Sequence, residues 1–177
     1  TQSEIASFAS DGVVYLPNIV EKNWIELLNS SLELMLKDSK MFADLTALSS
    51  DLNKTQGLAA ITENESKAGR FLSGVDHWKE DKNFAAFAKI SPLPSIVAKL
   101  MNSKTVYLYE DSVLIKEPCT AEETAFHQDL GYFHLKGENV CTVWAPLDHV
   151  DSETGSVVYL RSSHKNKKVF KPNWFVV

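Results

Sequence analysis

The sequence lacks any long apolar run: none approaches the roughly 20 residues a helix needs to cross a bilayer, so no membrane partner is expected. It also lacks a basic block, and its net charge is −5. Without a Lys/Arg patch, nucleic acid is excluded as the main partner. Only two cysteines occur, Cys119 and Cys141. They form neither a CxxC site nor a disulfide framework, and read as free thiols in a reducing cytoplasm, each a small hydrophobe in a strand or loop. Internal repeats and low-complexity tracts are absent, and no signal peptide is visible at the start as given. The sequence begins at Thr1, so an initiator Met is expected upstream.

What is present is an ordinary globular composition, 44% hydrophobic and 23% charged over 177 residues. That is enough chain for one domain with a sizeable core. The first part reads as helical. Residues 1–10 form a short helix stopped by the turn signal Asp11-Gly12. Val13–Val20, interrupted by Pro17-Asn18, reads as a short edge strand. In Asn23–Lys37 the apolar residues Trp24, Ile25, Leu28, Leu32, Met35 and Leu36 recur at helical spacing, so the segment is an amphipathic helix with a core-facing stripe.

Residues 38–68 are polar and poorly periodic, and read as a long loop with one helical turn; such loops are often functional lids. The mixed aromatic and charged stretch Arg70–Trp78 suits either a substrate mouth or a loop packed on the core. Asn83–Ile90 is a short helix. Ser91-Pro92 then starts another, with Ser as N-cap and Leu93, Ile96, Val97, Leu100 and Met101 as its buried face. From there the text turns to strand: Thr105–Lys116, Ala125–Asp129, Asn139–Leu147 and Ser156–Leu160. Helices followed by strands favour an α+β domain, a helical layer on an all-β core.

The chemistry gathers at His127 and Asp129. On an extended strand, residues two apart project from the same face. An imidazole and a carboxylate so placed supply two-thirds of the 2-His-1-carboxylate facial triad of non-haem Fe(II) oxygenases. A bare His-x-Asp also describes a solvated loop pair, and the rest of the chain has to decide.

It does so through five ordered motifs. These are Ile115-Lys116-Glu117-Pro118, then His127-Gln128-Asp129-Leu130-Gly131-Tyr132-Phe133, then Val143 to Asp151, then Thr154 to Leu160, then Ser162-Ser163-His164-Lys165. Together with Phe8-x-x-x-Gly12-Val13-Val14-Tyr15-Leu16-Pro17 and Gly69-Arg70-Phe71, this set resembles the phytanoyl-CoA dioxygenase family of Fe(II)/2-oxoglutarate oxygenases. The resemblance implies a double-stranded β-helix (jelly-roll, cupin-like) core with the N-terminal helices packed on it. It implies one domain over 1–177, helical in 1–103 and jelly-roll in 104–177. It implies Fe(II), the cosubstrate 2-oxoglutarate and O2, with His127 and Asp129 as catalytic metal ligands.

For 2-oxoglutarate the candidates are Trp144, Lys116 and Gln128. Trp144 lies mid-strand with Val140 and Thr142 on its face, and a core tryptophan reads equally well. Lys116 ends an apolar strand, where a cation meets a carboxylate or is simply solvated. Gln128 points opposite to the ligands on an undistorted strand. Tyr132 and Phe133 are candidate substrate-side walls, with core packing the equal alternative.

The family pattern also has a second ligand His, and after it an Arg for the distal carboxylate of 2-oxoglutarate. By that pattern both lie beyond Val177. The strand count agrees, with about five candidates against the about eight that close a jelly roll, so the C-terminal portion is expected to be missing from this sequence. His77, His134, His149 and His164 read as polar surface or core residues rather than as substitutes. Asp129 stands where the superfamily's halogenases carry a small residue, which disfavours halogenation. The expectation is a dioxygenase that hydroxylates a small organic substrate while 2-oxoglutarate is decarboxylated to succinate and CO2. A catalytically incomplete jelly-roll binding protein, or a cupin-like metalloenzyme of other chemistry such as an isomerase, are the alternatives. The family name does not fix the substrate.

Overall fold

The computed structural model describes residues 1–38, 40–46, 69–120, 124–137 and 139–172. The expected loop at 38–68 falls mostly outside them. Helix α1 spans Gln2–Asp11 and ends where Gly12 takes a left-handed conformation, φ 79°, its N–H donating to the Phe8 carbonyl. Helix α2, Lys22–Met35, buries Leu28, Ser31, Leu32 and Met35. The periodicity predicts this stripe: the spacings of three and four put one face of the helix into the core.

A short strand β1, Ala43–Asp44, precedes β2, Phe71–Val75, and then the one-turn helix α3, His77–Glu80. Helix α4 covers Lys82–Ile90 and α5 covers Leu93–Leu100. Asp81 caps α4 by accepting from the N–H groups of Asn83 and Phe84 at 2.8 and 3.0 Å. The buried Ser31 hydroxyl donates to the same carboxylate, 3.1 Å, and accepts from Asn83 Nδ2, 2.9 Å. A polar group inside α2 is thereby satisfied by the cap of α4, and the two helices are held in register. At the start of α5 the Ser91 hydroxyl accepts from Leu93 N–H, with Pro92 in the cap position. The expected apolar face of α5 is only half-buried.

Strand β3, Ser112–Lys116, completes an antiparallel sheet in the order β1-β2-β3, with Phe71 opposite Lys116 and Val75 opposite Ser112. Phe71 and Leu72 are both buried although they are neighbours on one strand, so β2 is covered on both faces. Gly74 is the one residue that fits its place on β2. A Cβ there would sit 2.4 Å from the Met41 carbonyl oxygen and 2.6 Å from the His77 ring.

The architecture is α+β, as expected, but its sheet is built differently from the expectation. Only the last five residues of the predicted strand Thr105–Lys116 pair. Val13–Val20 turns at Asn18, φ 59°, and forms no ladder. Ala125–Asp129, Asn139–Leu147 and Ser156–Leu160 likewise form no paired strand among the described residues beyond a single bridge residue at Thr124. The reason is physical: β-branched and aromatic content reports how well side chains fit a pleated surface, whereas a strand also needs a neighbouring backbone to bond. Ser112–Lys116 has β2 beside it. Among the described residues the later segments form no such ladder. Leu147 packs on the α2–α4 core, and its carbonyl accepts from Asn29 Nδ2 at 3.3 Å.

Candidate metal centre

His127 precedes Gln128, whose backbone is extended, and Asp129 begins a 3-10 turn, Asp129–Gly131. The turn does what the expected strand would have done and brings the two side chains to one side. His127 Nε2 lies 3.2 Å from Asp129 Oδ1. The other ring nitrogen, Nδ1, lies 2.8 Å from the Ala125 carbonyl oxygen. A carbonyl can only accept, so in the neutral ring Nδ1 carries the proton and the lone pair is on Nε2, the atom turned towards the carboxylate. This is the arrangement by which metal-binding histidines are oriented, the second nitrogen donating to a backbone carbonyl.

The carboxylate is oriented as well. Asp129 Oδ2 accepts from the Thr142 hydroxyl at 2.7 Å, which leaves Oδ1 as the oxygen facing His127. Two donors about 2.1 Å from one first-row ion and at right angles to each other lie about 3.0 Å apart, so a spacing of 3.2 Å suits adjacent positions on a single ion. The donor set, one borderline nitrogen and one hard oxygen, suits Fe(II). All five histidines are among the described residues, yet no group of three or more His, Cys, Asp or Glu there could hold a metal ion.

Of the other histidines, His77 and His164 have side-chain contacts elsewhere. His77 is buried in the core between Phe42 and Phe84. His164 lies against the Ala9 carbonyl of α1. The backbone N–H of His134 donates to the Tyr109 hydroxyl, 3.2 Å. Near His149 the turn Asp151–Thr154 is closed by the Asp151 carboxylate, held below its ordinary range first by the Glu153 N–H.

Of the candidate cosubstrate and substrate residues, Tyr132 is brought to the pair: its ring meets the His127 ring edge-on, with centroids 5.5 Å apart. Phe133 packs instead on Tyr109, 5.5 Å between centroids. Trp144 is 43% exposed. The Lys116 ammonium stands 4.7 Å over the Phe71 ring, on the sheet. The Gln128 amide turns to the chain's last described stretch, donating to the Lys168 carbonyl at 3.0 Å and accepting from Phe170 N–H at 2.9 Å.

Sequence reasoning missed three participants. Thr142 bonds to Asp129 across 13 residues. Ala125 fixes the imidazole through its backbone, which has no sequence signature. The Tyr159 phenol is pushed above its ordinary range by burial and then by the negative charge of Asp129, so it stays protonated at neutral pH near that carboxylate. Burial likewise raises the Cys141 thiol and keeps it protonated, and both cysteines are free.

A family model described as phytanoyl-CoA dioxygenase matches residues 8–174. The chain belongs to the phytanoyl-CoA dioxygenase family. That family is one of Fe(II)/2-oxoglutarate-dependent oxygenases, and the match spans the His127–Asp129 pair together with the helices that precede it. No curated protein and no solved structure matches the chain. Among the described residues, no helix is long and apolar enough to cross a membrane.

Proposed function

We propose that this member of the phytanoyl-CoA dioxygenase family is an Fe(II)/2-oxoglutarate-dependent dioxygenase that hydroxylates a small organic substrate. The observation that carries the reading is the His127–Asp129 pair, with its Nε2 and Oδ1 3.2 Å apart and each partner oriented by a second hydrogen bond. When bound, Fe(II) with 2-oxoglutarate supplies oxidation by O2, the cosubstrate leaving as succinate and CO2. His127 offers Nε2 because Ala125 holds the proton on Nδ1. Asp129 offers Oδ1 because Thr142 occupies Oδ2. Tyr159 keeps its proton near that carboxylate and is a donor for an oxygen in the site. Tyr132 and Phe133 are assigned to the substrate side, and Trp144 and Lys116 to the cosubstrate.

The family's jelly-roll core over a single domain, 1–177, is part of the same reading. A second reading, a catalytically incomplete binding protein on this scaffold, is favoured by one observation: among the described residues the pair gains no third His, Cys, Asp or Glu. Anaerobic visible absorption separates the two. Addition of Fe(II) and then 2-oxoglutarate is expected to raise a metal-to-ligand charge-transfer band, absent from His127→Ala. A folded wild-type chain with no such band would mean that this chain alone is not a competent oxygenase.

A further inference from the structure

Two motifs far apart in the chain meet in space. The segment Arg161–His164 closes on the C-terminal end of α1. Ser162 N–H donates to the Asp11 carbonyl at 2.7 Å, the Ser162 hydroxyl to the Ser10 carbonyl at 3.0 Å, and His164 Nε2 lies 3.2 Å from the Ala9 carbonyl oxygen. Arg161 Nε adds an ion pair to Asp11 at 3.4 Å. Helix α1 has no basic residue in its own last turn, so its orphan carbonyls are satisfied from the other end of the chain. Gly12 makes room for this: a Cβ there would stand 2.3 Å from His164 Nδ1.

From this clasp the chain runs as an arm to Pro172, and its far end grips the candidate metal centre. The Gln128 amide bridges the Lys168 carbonyl and Phe170 N–H, two residues apart, as a partner strand would. The Phe170 carbonyl oxygen also lies 3.2 Å from where a Gly131 Cβ would be, so the arm rests on the Asp129–Gly131 turn itself. Gln128 sits between the two ligand candidates, and a side chain fixed at two points fixes the backbone that aims its neighbours.

We propose that Gln128 is a positioning residue: through the arm 161–172, anchored on the end of α1, it holds His127 and Asp129 in the geometry that receives a metal ion. The proposal rests on the iron reading above for its purpose. The contacts themselves do not depend on it.

The test uses the full chain with Co(II) as an anaerobic probe and the ring nitrogen NMR signals of His127 in metal-free protein. Gln128→Leu is expected to keep a cooperative thermal transition, lose slow exchange of the Phe170 amide, average the two His127 ring nitrogens, and weaken Co(II) binding by about 10- to 100-fold, as removal of an orienting partner does. His164→Ala, which loosens the distant anchor, moves the same signals in the same direction by less. Leu32→Ala, a core truncation away from the arm, lowers the thermal midpoint and leaves Co(II) affinity unchanged. Unaltered His127 ring signals in Gln128→Leu would overturn the proposal, as would Leu32→Ala weakening Co(II) as much as Gln128→Leu. A wild-type chain that binds no Co(II) while its His127 signals still respond to Gln128→Leu would remove the iron reading and leave the arm standing.

Discussion

The two halves of this molecule are held together by different forces. Every buried residue described lies between Leu28 and Ser91, in the layer formed by α2, α4 and the sheet. From Pro92 to Pro172 no described residue is buried, although Val158, Leu160 and Val169 are 64–71% exposed there. The candidate site is in this second half, and what orders it is a set of hydrogen bonds: Thr142 to Asp129, His127 to Ala125, Gln128 to the arm, and the arm to α1. The difference teaches that stability and chemistry are separable here. Apolar burial supplies most folding free energy, and functional groups sit on segments drawn from the less stable end of a structure.

The sharpest way to break this comparison is a matched truncation. Leu28 is 2% exposed at the centre of the core and Leu160 is 71% exposed. Leu28→Ala is expected to cost about 2–5 kcal/mol, the transfer of its methyl groups plus the cavity they leave. Leu160→Ala should fall within about 0.5 kcal/mol of wild type, as surface changes do. Urea unfolding followed by far-UV circular dichroism measures both. Equal losses would mean that the second half buries its apolar residues in solution and that the contrast is false.

A smaller effect sharpens the first half alone. His77 is fully buried, and among the described residues neither its ring nitrogens nor the buried Asp111 Oδ1 has a hydrogen-bond partner of good geometry, although the Met41 carbonyl is close to the ring. Burial pushes the His77 pKa below its ordinary value, outweighing the opposite pull of Asp111, Asp76 and Asp81. On acidification the unfolded chain therefore takes up this proton first, near pH ~6.5. Stability is full above that pH and falls below it until the folded ring protonates. Asp111 acts in reverse: burial raises its pKa, so the folded state protonates first and recovers some stability at lower pH. His77→Leu is expected to remove the loss that begins near pH ~6.5, read as the thermal midpoint against pH. An unchanged profile would mean that the buried ring is not what titrates.

The helices were legible because their signal is local. Leu28, Leu32 and Met35 state the face of α2 within eight residues, and Ser91-Pro92 marks the next helix at its own start. The His-x-Asp pair was legible for the same reason, since two residues of separation bring both side chains together on a strand or, as here, at the entry to a turn. What the sequence hid is non-local. Thr142 looked like one more strand residue, Tyr159 like one more aromatic, and the grip of Gln128 on Lys168 and Phe170 spans some forty residues with no motif of its own. The strands expected at Asn139–Leu147 and Ser156–Leu160 have strand-forming side chains without a paired backbone, and single-sequence patterns report only the former.

The smallest effect tests where the two halves join. Arg70, just before β2, and Glu117, just after β3, form an ion pair; Glu117 also accepts from the Arg70 backbone N–H at 2.9 Å, while the Glu117 N–H donates to the Arg70 carbonyl at 3.0 Å. The Arg70 guanidinium holds the Glu117 carboxyl at about 2, far below its ordinary value. A depressed carboxylate stabilises the fold above its unfolded pKa of about 4.3 and loses that contribution as pH falls towards the folded value. Both side chains are solvent-accessible, so the contribution is modest and screened by salt. Glu117→Gln is expected to flatten the acid limb of the stability profile between pH ~4.3 and 2 and to leave the His77 limb at higher pH untouched. Wild type in high salt should show the same flattening, because the ions screen the pair that the substitution removes. If Glu117→Gln instead altered both limbs, the loss at the end of β3 would be reaching the buried core through the β2–β3 ladder.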